Sequence, residues 1–308
     1  MSNLLRAGVR RYVRNIVFWL AIIATIVAAV ICAVSTRQHY FDDFYCVIVF
    51  AALAVVISWL VGRENDEGIF RNKTVAGYTK GQIYISELIL SVGTCVVMFL
   101  LFAIVFTAFN SYVFTKASLG ACLGIFIDSL LVNICVAVIL TTVSCLISKR
   151  YIVAIVNIVL VFAMFFASYA IQRIVVQDEY ITEWDYEEVV VTDGPNTYVS
   201  FEPIEGSEHQ VKNPRYIDGP LRTISETLYN IFPYGHITEY CSLTNDWFGY
   251  EYYELFPEAN LTWETSDKDL TLSKEAMHDI YENLIWSVAL NIAVCALGFI
   301  CFRKKELR

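Results

Sequence analysis

The chain has 308 residues, 57% of them hydrophobic, and a formal net charge of −9. Apolar residues gathered into long, nearly uncharged runs exclude a soluble single-core globule. Basic residues scattered among the short segments between those runs, rather than on one stripe, argue against a nucleic-acid binder.

In chain order, residues 1–15 come first. Leu5, Val9, Tyr12, Val13 and Ile16 share one helical face, while Arg6, Arg10 and Arg14 follow at four-residue intervals on another. This spacing predicts an amphipathic helix lying on the membrane surface, with a plain positive anchor as the alternative. Ala33 and Ser35 loosely suggest a signal-peptide cleavage site, but the apolar run before them is too long and its arginine-rich preface too extended.

Six apolar runs are long enough to span a bilayer, at about 16–35, 44–62, 84–109, 119–147, 152–172 and 284–302. Arginines and lysines set the expected orientation. Arg6, Arg10, Arg11 and Arg14 precede the first run; Arg63, Arg71, Lys73 and Lys80 lie between the second and third. Lys149 and Arg150 separate the fourth and fifth, and Arg303, Lys304, Lys305 and Arg308 follow the sixth. The alternate loops hold only Arg37, Lys116 and Arg173 before residue 174. Both termini are therefore expected in the cytoplasm.

The stretch "DEGIFRNKTVAGYTKGQIY" (66–84) is a charged island between two apolar runs. A short cytoplasmic helix is expected there over about 65–76, punctuated by Gly77 and Gly81. Within the spans, strongly polar residues are few and are candidates to line a transport pathway: Glu87, Asp128, Asn133, Asn157 and Asn291. Interhelical hydrogen bonding accounts for the amides equally well, and the Gly120/Gly124 pair reads as helix packing.

Segment 174–283 holds 23 Asp and Glu against five Lys and Arg. It is expected outside the cell as an α+β domain. "EEVVV" and "TYVSF" flank the turn signal "DGPN" at 193–196, which predicts a hairpin. Ile224, Leu228, Ile231 and Phe232 recur at helical spacing over 222–232, Pro233 and Gly235 break that pattern, and a second short helix is expected at 236–243. Aromatics crowd "WFGYEYYELF" (247–256), and from about Ser273 a helix leads into the last span. Of nine cysteines only Cys241 lies in this segment, so no internal disulfide is expected, which suits a Gram-positive-type bacterial membrane. The acidic, aromatic surface would attract cationic or amphipathic peptides, unless the acids serve only solubility.

No phosphate-binding G-x-x-x-x-G-K-[ST] loop, H-E-x-x-H, paired C-x-x-C or G-x-S-x-G motif occurs, so neither nucleotide, metal nor catalytic machinery is expected in this chain. His278 and Glu282, at i and i+4, are two potential ligands without a third.

Three stretches together resemble bacterial type-2 ABC exporter permeases. Gly68, Arg71, Asn72, Lys73, Gly77, Thr79, Lys80, Ile83 and Tyr84 are similar to the family's G-x-x-R-N-K-x-x-x-G-x-S-R-x-x-I-Y between spans two and three. "NPRYIDGPLRTISETLYNIFPYGH" resembles its N-P-x-Y-x-x-G…R…Y-D-x-x-P-[ST]-G-Q run, and Gly298, Phe302 and "RKKEL" its closing G-x-x-x-F-x-[KR]-K-[DE]-[LI]. Thr79-Lys80 stands for Ser-Arg, and Asn230, Tyr234 and His236 replace Asp, Ser/Thr and Gln.

The resemblance implies a mainly α, polytopic fold of six transmembrane helices: an interfacial helix (1–15), spans one to five (16–173), an extracellular α+β domain (174–283), and a sixth span with a basic tail (284–308). It implies membrane lipid around the chain, a second permease, identical or related, and two cytoplasmic ABC ATPase subunits that carry the ATP and Mg. The charged island would be the coupling helix, docking through Glu67, Phe70, Arg71, Asn72, Lys73, Tyr78 and Lys80. The exported substrate would be a peptide, cationic ones included, or an amphipathic drug-like molecule. Two other classes compete: a non-transporting sensor or immunity protein binding a ligand through the acidic domain, and a membrane-embedded transferase. The sensor needs no ATPase partner. The transferase needs carboxylates at one membrane face, whereas Glu87 and Asp128 are expected near opposite faces.

Overall fold

The computed structural model describes residues 1–36, 44–111, 118–193, 196–204, 206–232, 234–241 and 274–306. The chain is mainly helical. Among the described residues, six helices are long and apolar enough to cross a membrane: Ile16–Ser35, Cys46–Asp66, Lys80–Phe109, Leu119–Leu146, Arg150–Val175 and His278–Lys304. That is the pattern of a multi-pass membrane protein, because only a helix satisfies its own backbone in hydrocarbon.

The elements are α1 (Ser2–Arg14), α2 (Ile16–Thr36) and α3 (Phe44–Ile57), the last continuing through a π-helical turn (Ser58–Gly62) into α4 (Arg63–Asp66). Next come α5 (Ile69–Val75), α6 (Lys80–Phe109), α7 (Leu119–Leu146) and α8 (Arg150–Val175). Strands β1 (Tyr180–Glu183), β2 (Tyr186–Asp193), β3 (Asn196–Pro203) and β4 (His209–Lys212) follow, then α9 (Pro220–Ile231). Helix α10 spans 234–241 and α11 is Lys274–Lys304.

Two compact units emerge. The first, Met1–Ser168 with Asn230–Arg308, contains the helical core. Its interior is apolar and close-packed: Phe50, Leu53, Ile57, Leu60, Ile83, Met98 and Leu140 are fully buried. Small residues let helices approach. A Cβ on Gly298 of α11 would run into the Tyr84 hydroxyl and lie 2.5 Å from Thr142 Oγ1. Tyr84 cannot retreat, since it is stacked on Phe302 and its hydroxyl is hydrogen-bonded to Thr142 at 2.9 Å. Of the expected Gly120/Gly124 pair, Gly124 faces α11, with Ile280 Cγ2 2.7 Å from where its Cβ would lie, while Gly120 is exposed.

The second unit, Tyr169–Tyr229, holds both two-stranded antiparallel pairings. The expected hairpin is β2–β3, in register from Tyr186↔Pro203 to Asp193↔Asn196; β1 pairs with β4. Arg222 closes the unit: its guanidinium donates to the carbonyls of Ile174 and Val175, terminal acceptors of α8, at 3.1 and 2.9 Å, and to that of Gln177 just beyond at 2.8 Å. Asn213 bonds Gln177 and the Asp178 carbonyl. These residues of the Asn213–His236 stretch thus have structural tasks.

Two expectations change. Segment 174–283 is not one body: helix α10 and the start of α11 belong to the helical unit, because Tyr234, Ile237 and Cys241 are buried in its core. The apolar residues at helical spacing do not form a buried side of α9: Ile224 and Leu228 are exposed, and the buried positions there are Ser225 and Tyr229. Gly194 and Pro195, Pro233, residues 242–273 with the aromatic run, and Arg37, Lys116 and Arg308 lie outside the described residues.

Candidate functional site

The charged island folds as two short helices rather than one over 65–76. Gly68 divides them with φ of 69°, a left-handed conformation that costs a residue with a Cβ about 1–2 kcal/mol. Thr79 then caps α6 in a complete capping box with Gln82.

What fixes this segment is a closed ring of four charges from four elements. Lys73 on α5 donates to Glu64 Oε2 on α4 at 2.6 Å and to Glu87 Oε1 on α6 at 2.8 Å. Arg11 on α1 reaches Glu87 Oε2 at 3.3 Å and pairs with Glu64. Both carboxylates are buried, and each faces both cations, so the ring is neutral. Removing four charges from water is tolerable only in such a compensated arrangement. Glu87 therefore holds α1, α5 and α6 together, a structural duty that occupies both its oxygens.

An aromatic column continues the tie. The Phe70 ring meets Phe302 edge-on at 5.8 Å, and Phe302 stacks on Tyr84 at 5.7 Å. Lys80 donates to the carbonyls of Arg303 and Lys305 at 3.4 and 2.5 Å. Lys305 in turn donates to Asn65 Oδ1 at 3.0 Å and the Cys145 carbonyl at 2.8 Å. Burial pushes the Lys305 ammonium below the ordinary lysine range. Asn65 donates to the carbonyls of Ser144, Cys145 and Ile147 at the end of α7. The first and last of the three stretches behind the resemblance thus pack on each other.

This packing divides the expected docking residues. Phe70 is 1% exposed and points inward, so it cannot serve as an anchor for a partner. Lys73 and Lys80 are engaged within the chain, and Tyr78 is half-buried. Glu67, Arg71 and Asn72 remain exposed. The apolar side chain that projects is Val75, 83% exposed at the end of α5. Arg11 and Glu64 had no place in the expected site. Arg11 falls outside the four-residue arginine register, and Glu64 stands beside a span; both are signals of inward pairing.

A second buried polar group involves Asp128 of α7. Its Oδ2 accepts from the Tyr240 hydroxyl and lies 2.9 Å from His236 Nδ1. His236 Nε2 is 2.7 Å from the Asn230 carbonyl, which can only accept, so Nε2 carries a hydrogen. Ser287 Oγ sits 3.2 Å from the same Nδ1. Ser, His and Asp are therefore not a relay: a triad needs the hydroxyl and the carboxylate on opposite ring nitrogens. Beside this group Glu239 accepts from Asn283 at 2.9 Å. Burial raises the Glu239 carboxyl above its ordinary value, and burial with the Asp128 charge raises the Tyr240 phenol.

Two of the three deep amides join helices. Asn157 donates to Ser58 Oγ at 2.8 Å in the π-helical turn and to Ser144 Oγ at 2.9 Å on α7. Asn291 donates to the Leu131 carbonyl at 2.9 Å. Asn133 donates to the Ser129 carbonyl of its own helix, and its carbonyl accepts from Cys95. Glu87, Asp128, Asn133, Asn157 and Asn291 are thus spread through the core, each bonded within it, and do not converge on one chamber. Among the described residues, no group of three or more His, Cys, Asp or Glu is placed to hold a metal ion. Compared with family profiles, curated proteins and solved structures, the chain matches none.

Proposed function

We propose that the chain is the permease subunit of an ATP-driven exporter, paired with a second permease and coupled to two separate cytoplasmic ATPase subunits through the α4–α5 segment. One observation carries the reading: Glu67, Arg71, Asn72 and Val75 project from a segment that is bolted by buried charges to α1 and α6 and by Phe70 to α11. A push on α5 would reach three helices without being lost in a flexible loop, which is what a coupling element requires. The resemblance of the same residues to the type-2 exporter pattern, and the concentration of Lys and Arg on one set of loops, support a cytoplasmic position for the segment. ATP and Mg belong to the partner, the chain supplies the membrane path, and segment 174–283 lies on the outer side of the membrane.

The test is association. Arg71→Glu combined with Val75→Asp should lower recovery of the ATPase with the tagged chain at least roughly tenfold, the scale of losing a central interface residue. Both side chains are exposed, so the thermal midpoint of the purified chain should stay within the range of ordinary surface changes. Full ATPase recovery in this variant would overturn the reading.

A further inference from the structure

Helix α1 has three sides. Gly8 and Tyr12 are buried, and Arg11 turns the same way into the ring with Glu64 and Glu87. Val9 and Val13, about half exposed, form a second side. Arg6, Arg10 and Arg14 form the third, all exposed; at 3.6 residues per turn they lie within an arc of about 80° bordering Val9 and Val13. Among the described residues no salt bridge is formed by these three, whereas Arg11, on the same helix, is paired with two carboxylates. The end of α1 is pinned by Trp19, whose indole N–H donates to the Val13 carbonyl at 2.7 Å while half of its surface stays exposed. A half-exposed Trp at the start of a spanning helix marks the head-group level.

From this we propose that α1 is a binding surface for anionic phospholipid head groups, held by Arg6, Arg10 and Arg14 with Val9 and Val13 entering the acyl boundary. An apolar edge adjoining an unpaired cationic row is the form that binds a negatively charged bilayer surface. Guanidinium forks suit phosphate oxygens, which they engage in pairs. Arg11 does not take part, because its charge is already neutralised inside. The surface is separate from the exposed residues of α5 and does not depend on what docks there.

The full chain would be placed in nanodiscs, with quenching of Trp19 by brominated phosphatidylglycerol compared with brominated phosphatidylcholine at equal mole fraction; a Trp19→Phe variant isolates that residue's signal. Each arginine near an anionic surface is worth roughly fivefold, so the wild-type chain should prefer phosphatidylglycerol by more than about tenfold, falling to near parity when Arg6, Arg10 and Arg14 become Gln. Equal quenching by the two lipids in the wild-type chain, or a preference that survives the triple change, overturns the proposal. Should the triple variant fail to insert, salt decides. A wild-type preference that shrinks severalfold between low and high salt supports the surface, and one that ignores salt overturns it.

Discussion

Replacing Lys73 with Met is expected to destabilise the chain by about 3–5 kcal/mol, the cost of leaving buried charge uncompensated. Lys73 bonds both Glu64 and Glu87, so its loss leaves two buried carboxylates sharing Arg11 alone. The effect should appear as lower yield and a thermal midpoint several degrees lower in detergent. The second arm is diagnostic: Lys73→Met with Glu87→Gln restores one cation to one carboxylate and should recover most of the loss. If the double variant is as unstable as the single, Lys73 acts through packing against Phe70, over whose ring it sits at 5.5 Å, rather than through charge.

His236→Ala should have a similar effect at the other buried group. Asp128 would keep the Tyr240 hydroxyl but lose the imidazole beside Oδ2, and its Oδ1 already has no hydrogen-bond partner. A fully buried carboxylate so stripped is expected to cost about 3–5 kcal/mol. Adding Asp128→Asn removes the charge and should regain most of that loss, measured by the same thermal midpoint. A His236→Ala chain as stable as the wild type would contradict the assignment of His236 and Asp128 as a structural pair.

Much of the frame was legible because a bilayer admits so few solutions. Uninterrupted apolar runs must be helices, and α2, α6, α7 and α8 begin and end within a few residues of where the runs do. The β2–β3 hairpin followed from turn chemistry and alternation, both local signals. The contacts that define the sites were not local. Phe70 reads as a free anchor on its own segment, and only the arrival of Phe302 from the far end of the chain turns it inward. Asp128 announced itself as a polar residue in a span, but its partners His236 and Tyr240 lie on α10, in a segment whose acidity suggested a separate domain. There the composition misled: acidic residues recur on both sides of α10, yet Tyr234, Ile237 and Cys241 bury it in the helical unit. The break at Gly68 was readable as a glycine but not as a division, since its neighbours on both sides favour helix.

The measurement that bears most directly on the proposed coupling is site-specific photo-crosslinking from α5 in native membranes. A photoreactive phenylalanine analogue would replace Val75, which projects, and in a separate chain Phe70, which is buried. The account predicts that the Val75 position crosslinks to a protein that binds ATP and carries a G-x-x-x-x-G-K-[ST] phosphate loop, and that the Phe70 position crosslinks only within the chain. No adduct with an ATPase from Val75, in membranes where the chain is intact, would contradict it.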